Sequence, residues 1–183
     1  MFTEKEKQIL LLIAREAIKS EFDETDLNLS AFEKDFPQLS KIKTGAFVTL
    51  HLNGELRGCI GFIYSNNNLI KTIADAAVLA AFQDYRFLPL SKEEFDKIKI
   101  EISVLSEPQK ISSYDEIVIG KHGLIVEEEG KRGLLLPQVA TEYNMNLEEF
   151  LTAICRKANL SPYLWQKKQI NLQVFTVEYF SED

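Results

Sequence analysis

An Asn53-Gly54 pair stands between two runs of strand-forming residues, 46–52 and 55–63. Both central positions of a type I′ turn need a positive φ, which asparagine and glycine adopt at low cost. The pattern therefore predicts a β-hairpin whose loop consists of Asn53 and Gly54.

The register of this hairpin decides which side chains lie together. Counting outward from the loop pairs Leu50 with Arg57 and Val48 with Cys59. Directly paired residues share a face of the sheet, so we expect Arg57 and Cys59 to point the same way. His51 falls on the opposite face in this register, which argues against a dyad of His51 and Cys59. A single β-bulge would undo the register.

A second hairpin is predicted around Glu129-Gly130, with strands at 123–128 and 131–136, and its register sets His122 opposite Pro137. Residues 21–44 are interpreted as a loop with a short helical turn. Helical spacing and capping boxes predict helices, and alternation predicts strands, over the following ranges: helices at about 4–19, 69–82 and 146–158, a short helix opening at 91, and strands at 99–104 and 172–179.

Two hairpins among helices favour an α+β fold: two lobes, with a largely antiparallel β-sheet flanked by helices and a smaller lobe that contains a β-hairpin. Residues 1–183 are interpreted as a single domain of two intertwined lobes. The boundary between the lobes is not assignable from the sequence.

The charge pattern argues against nucleic acid as a partner, because 21 basic side chains are interleaved with 28 acidic ones for a net charge of −7. Residues 1–8 are charged and hold no apolar signal core, and no apolar run approaches the roughly 18 residues of a membrane span. We therefore expect a cytoplasmic protein with no membrane partner. Cys59 and Cys155 are expected to be reduced thiols.

Cys59 has two interpretations. It is either a nucleophile whose thiolate Arg57 stabilises, or a small buried apolar residue. Arg57 itself needs solvent or an anion. A carboxylate of the chain such as Glu101 or Asp84 could supply that anion, and so could the carboxylate or phosphate of a ligand.

The glycines of the same strand and a histidine complete the candidates. Gly58 and Gly61 are interpreted either as bulge or packing positions or as room for a ligand. His122 lies in a glycine-flanked turn, where an exposed imidazole without a function is the alternative to an acid/base role. No metal-ligand spacing, phosphate loop or dinucleotide fingerprint is present, so we predict no metal site.

Residues 56–61, LRGCIG, match the hexapeptide that marks the AMMECR-type domain family, also called AmmeMemoRadiSam system protein A. The chain resembles this family over nearly its whole length. The segments that carry the resemblance are 45–50, 56–61, 84–89, 101–106, 120–125, 132–140 and 150–165.

The resemblance implies a two-lobed α+β fold with the hexapeptide beside a groove between the lobes. It implies a site that includes Cys59 and His122 as catalytic residues. The ligand-binding candidates lie in the matching segments: Arg57, Gly58, Gly61, Arg86 and Gln138. It also implies a pathway shared with a Memo-type protein and a radical SAM enzyme as possible partners, while the reaction of the family and any cofactor are unknown.

Two functional hypotheses follow. In the first, the chain is a cysteine-dependent enzyme or enzyme component, with Cys59 as nucleophile or redox thiol, His122 as acid/base and Arg57 as anion clamp. In the second, it is a non-catalytic binding or adaptor module that presents the LRGCIG groove to a protein or an anionic ligand.

Overall fold

The computed structural model describes residues 1–183 and contains two compact units. The first unit comprises Met1–Val104 and Glu178–Asp183, and the second comprises Leu105–Val177. Each unit holds one four-stranded sheet together with helices. The predicted α+β class with largely antiparallel sheets is confirmed.

Helices and strands follow one another irregularly along the chain. The helices are α1 Glu4–Asp23, α2 Leu29–Asp35, α3 Pro37–Ser40, α4 Leu69–Phe82, α5 Lys92–Phe95, α6 Pro137–Glu142, α7 Leu147–Lys157 and α8 Leu164–Lys167. The strands are β1 Ala46–Leu52, β2 Glu55–Phe62, β3 Ile98–Leu105, β4 Gln109–Lys110, β5 Gly123–Glu128, β6 Lys131–Leu135, β7 Leu172–Phe175 and β8 Val177–Ser181. None of the helices combines the length and the apolar character needed to cross a membrane.

The helix starts follow the capping residues of the sequence. Thr3, Ser91 and Asn146 each form a capping box with the residue three positions later, which fixes the first turns of α1, α5 and α7. Residues 21–44, interpreted as a loop with one helical turn, instead hold the end of α1 and the two short helices α2 and α3.

The first sheet has strand order β2-β1-β3-β8, so β2 lies at its edge. Helix α4 packs against β1 and β2 and also against α1, so its apolar residues are buried on more than one side. Val48 and Leu50 of β1 are fully buried, whereas Phe47, Thr49 and His51 alternate with them and are partly exposed. We call the face that carries Phe47, Thr49 and His51 the outer face.

The second unit has strand order β4-β7-β5-β6. Its hairpin pairs Glu128 with Lys131 and Leu124 with Leu135, which confirms the predicted register. The predicted single strand at 172–179 is wrong, since it divides into β7 and β8, which belong to different sheets. Thr176 lies between the two strands. Its carbonyl accepts a hydrogen bond from the backbone N–H of Ser106, which belongs to a loop and not to a strand.

Candidate functional site

A β-bulge in β2 shifts the register of the first hairpin. The loop and its closing pair are as predicted, but the pairs Val48–Cys59 and Leu50–Arg57 are wrong. Leu50 lies opposite the residue after Arg57, and Cys59 lies opposite Thr49. The reason is that Arg57 is an extra residue with no partner of its own in β1, which moves every later pair by one position.

The shifted register moves Cys59 onto the outer face. Cys59 is partly exposed, and its Sγ accepts a hydrogen bond from Thr49 Oγ1 at 3.3 Å. Thr49 also lies opposite Glu101 of β3, so three polar side chains form a row across three strands. His51 is two residues from Thr49 on the same strand and therefore shares this face, which corrects the prediction that His51 and Cys59 lie on opposite faces.

The backbone of Cys59 is held by side chains instead of by a neighbouring strand. Its N–H donates to Asp84 Oδ2 at 2.9 Å, and its carbonyl accepts from Arg86 Nη2 at 3.2 Å. Because β2 is an edge strand, these two backbone groups would otherwise face solvent. Asp84 and Arg86 thus fix the position of Cys59 from outside the sheet.

Asp84 and Arg86 form a two-point ion pair. Asp84 Oδ1 accepts from Arg86 Nε at 2.9 Å, and Oδ2 accepts from Nη2 at 2.6 Å, with the Asp84 side chain only 1% exposed. The guanidinium, followed by the backbone N–H groups of Cys59 and Arg86, holds the pKa of Asp84 well below its usual range. The pKa of Arg86 is raised, first by its hydrogen bonds to Asp84. The pair therefore stays ionised at neutral pH.

Arg57 has a carboxylate partner within the chain. Its Nε donates to Glu94 Oε1 at 3.0 Å and its Nη2 to Oε2 at 2.9 Å, while Nη2 also reaches the carbonyl of Leu88. The pKa of Glu94 is lowered, first by Arg57. The partner is thus neither Asp84 nor Glu101. Because Nε and Nη2 of Arg57 already donate to groups of the protein, only Nη1 is left to bind a ligand. Ligand binding by Arg57 stays a prediction.

Residues 84–89, the 84–89 loop, present apolar side chains beside both arginines. The guanidinium carbon of Arg57 lies 5.8 Å from the centroid of the Phe87 ring, and that of Arg86 lies 5.5 Å from the same centroid. Tyr85 is 93% exposed and Leu88 is 83% exposed. Exposed aromatic and apolar residues next to arginine are typical of the centres of protein interfaces.

Both glycines of the hexapeptide lie against other parts of the chain. A Cβ on Gly58 would lie 2.2 Å from the carbonyl oxygen of Ala80 in α4. A Cβ on Gly61 would lie 2.3 Å from the carbonyl oxygen of Ala46 and 2.5 Å from the ring of Phe47. The space that the missing side chains of Gly58 and Gly61 leave is therefore occupied by other atoms of the protein. A ligand could be bound only by the backbone groups of these two glycines.

The remaining predicted residues, His122 and Gln138, belong to the second unit. The backbone N–H of Val118 donates to His122 Nδ1 at 3.2 Å, so the neutral imidazole carries its proton on Nε2 and offers a donor there. Gln138 Oε1 is buried and accepts no hydrogen bond. Convergence of His122 and Gln138 with Cys59 stays a prediction.

Sequence reasoning missed Thr49, His51 and Glu94 as parts of the surroundings of Cys59 and Arg57. The bulge carries no signal of its own, although the glycine after Arg57 is a residue type that bulges favour. The sequence pattern indicated Glu94 only as the third helical residue of a capping box. Glu94 does form this capping box, in addition to its ion pair with Arg57. No group of three or more His, Cys, Asp or Glu side chains is arranged to hold a metal ion.

Comparisons with known proteins show one consistent set of relatives. The model of the AMMECR1 family matches residues 11–180. A protein of Methanosarcina barkeri is 43% identical over 175 residues, covering 91% of this chain and 86% of that protein. A protein of Methanothermobacter thermautotrophicus is 40% identical over 185 residues, covering 97% and 95%. The crystal structure of an uncharacterised protein from Pyrococcus horikoshii has a TM-score of 0.81 and 36% identity, covering 96% of this chain and 90% of that one.

Proposed function

The chain belongs to the AMMECR1 family, and from that premise we propose that it is a cysteine-dependent enzyme or enzyme component with Cys59 as its nucleophile. One observation carries the proposal: Cys59 is fixed at three points, by Thr49 at the sulfur and by Asp84 and Arg86 at the backbone. A merely structural cysteine needs no such arrangement, because burial alone stabilises it. Cys155, fully buried in the second unit, is an example.

The proposal requires the thiolate of Cys59, which is the nucleophilic form of cysteine. The Thr49 hydroxyl donates to the sulfur, and the Arg86 guanidinium donates to the backbone carbonyl of the same cysteine. The thiol proton needs an acceptor. His51 is a diagonal cross-strand neighbour on the outer face, at a typical separation of about 7–8 Å, so a water molecule could link the two side chains.

The acid/base role predicted for His122 becomes that of a hydrogen-bond donor in the proposal. Since Nδ1 accepts from the backbone, neutral His122 acts at Nε2 as a hydrogen-bond donor. We assign the role of base to His51 and the role of donor to His122.

Removing the hydroxyl of Thr49 tests the proposal. We expect Thr49→Val to slow the alkylation of Cys59 by iodoacetamide at pH 7 about fivefold, because the reacting sulfur loses the hydrogen bond from Thr49, worth roughly 1 kcal/mol. The rate is measured by mass spectrometry of the peptide that contains Cys59. The matched control is Thr25→Val at an exposed threonine, which should leave the rate unchanged. Equal rates in both variants would remove the support for an activated thiol.

A second candidate is the non-catalytic binding or adaptor module, which the 84–89 loop supports. Its exposed Tyr85 and Leu88 beside Arg57 and Arg86 suit a protein partner. A Memo-type protein and a radical SAM enzyme, which the family resemblance implies as pathway neighbours, are the partners proposed for either candidate. Cys59→Ala separates the two candidates, since it abolishes a cysteine-dependent activity but leaves binding by this loop intact.

A further inference from the structure

The open edge of β2 carries an unused pair of backbone groups next to Cys59. The N–H of Cys59 points away from β1, since it donates to Asp84. Backbone groups alternate in direction along a strand, so the N–H and C=O of Gly61 also point to the open edge. Neither group of Gly61 has a hydrogen-bond partner in the chain, and Gly61 is partly exposed.

The edge is blocked at one end of this pair. At Cys59, Asp84 and Arg86 occupy the positions that an added strand would need. A strand that pairs with Gly61 must therefore stop before it reaches Cys59. The opposite direction leads towards the end of β2 at Phe62.

Arg86 stands at the blocked end with a donor to spare. Its Nε and Nη2 bind Asp84 and the carbonyl of Cys59, whereas no residue accepts from Nη1. Along the open edge of β2, the next backbone group after the carbonyl of Cys59 is the N–H of Gly61. Because Arg86 donates to the carbonyl of Cys59, its guanidinium lies beside the N–H of Gly61. The edge therefore offers two neighbouring donors, the N–H of Gly61 and Nη1 of Arg86, and a carboxylate has two oxygens to accept from them.

We propose that this edge binds the carboxyl-terminal residue of an extended peptide, antiparallel to β2. The peptide N–H donates to the C=O of Gly61, one carboxylate oxygen accepts from the N–H of Gly61, and the other accepts from Arg86 Nη1. Pairing with a strand edge and capture of a terminal carboxylate by backbone and arginine donors are both established modes of peptide recognition. An antiparallel direction places the carboxylate, rather than the amino end, at Arg86.

This inference rests on the proposed function, because it names the substrate class of the same site. A peptide bound at Gly61 lies two residues from Cys59, roughly 7 Å along β2. A side chain at Gly61 would collide with Ala46 and Phe47, so this position of β2 requires glycine.

The test uses the Cys59→Ala protein, so that peptide binding is measured apart from thiol chemistry. A mixture of N-acetylated pentapeptides with free carboxyl termini and three randomised C-terminal positions is passed over the immobilised protein, and bound peptides are identified by mass spectrometry. Each bound peptide is then titrated into the 15N-labelled protein, both as the free acid and as its C-terminal amide. We expect the free acids to shift the Gly61 amide resonance and slow its hydrogen exchange at least tenfold, and the amides to bind at least tenfold more weakly.

A variant pair adds a second readout. Arg86→Lys should weaken the free acid to the affinity of the amide, whereas Arg15→Lys, the matched change at the two-point ion pair with Glu182, should alter the affinity less than twofold. If Arg86→Lys fails to fold, the comparison of acid and amide decides the question alone. No retained peptide, or retained peptides that leave the Gly61 amide unchanged or bind equally well as amides, would overturn the inference. Slow alkylation of Cys59 together with such binding would overturn the proposed function and leave the peptide site standing.

Discussion

Replacing Gly58 by alanine is expected to lower the free energy of unfolding by about 3 kcal/mol or more. The added Cβ would lie 2.2 Å from the carbonyl oxygen of Ala80, a backbone atom of a helix whose surrounding residues are fully buried. A flexible side chain could rotate away from such a contact, but a helix backbone can only shift as a whole, so the cost falls at the upper end of the roughly 1–3 kcal/mol that is typical of overpacking. Urea unfolding followed by circular dichroism measures the change.

Gly130→Ala is the matched control for Gly58→Ala. Gly130 lies in the second hairpin loop with φ of +72°, and a Cβ there meets no atom within 4 Å. Its cost is therefore only that of a left-handed backbone, about 1 kcal/mol. A loss at Gly58 no larger than the loss at Gly130 would contradict the close packing of β2 against α4.

Asp84→Ala is expected to cost about 3 kcal/mol in the free energy of unfolding. The substitution removes a nearly fully buried carboxylate that accepts from the Arg86 guanidinium and from the N–H of Cys59. Hydrogen bonds to charged groups are worth about 1.5–3 kcal/mol each, and the partly exposed Arg86 recovers some of this by solvation. Asp75→Ala, which removes the exposed pair with Lys71, should cost about 0.5 kcal/mol.

The difference between the wild type and Asp84→Ala should depend on pH. The pKa of Asp84 is lowered in the folded protein, chiefly by Arg86. The ionised carboxylate therefore contributes stability above the unfolded pKa of about 3.9, and this contribution is lost as the pH falls below that value. Urea unfolding at a series of pH values should show a constant difference from pH 7 to about 5 and a shrinking difference below 4. A difference that grows in acid would contradict the ionised pair.

Local signals in the sequence were sufficient for most of the fold. Capping boxes at Thr3, Ser91 and Asn146 mark helix starts, and Asn53-Gly54 and Glu129-Gly130 mark hairpin loops, because these features act within four residues of chain. The break in the predicted last strand was not predictable in this way. The pattern of residues 172–179 is continuous, and only the pairing with two different sheets separates its halves.

The candidate site was less predictable than the fold, because it depends on one insertion and on distant contacts. The bulge at Arg57 adds a single residue to β2, yet it exchanges Val48 for Thr49 as the neighbour of Cys59. The partner of Arg57 is Glu94, 37 residues away, and no local rule selects it over other carboxylates. The identity of the motif residues was visible in the sequence, but their contacts were not.

The reactivity of Cys59 in the folded wild-type protein tests the central claim most directly. Iodoacetamide alkylation at pH 7 is followed by mass spectrometry for Cys59 in the native protein and in the same protein unfolded in urea. We expect the native Cys59 to react at least threefold faster than the unfolded one, because a nucleophilic cysteine is more reactive than an ordinary thiol and Thr49 holds its sulfur in place, while native Cys155 is protected by burial. A native Cys59 that reacts more slowly than the unfolded residue would contradict the assignment of this thiol as a nucleophile.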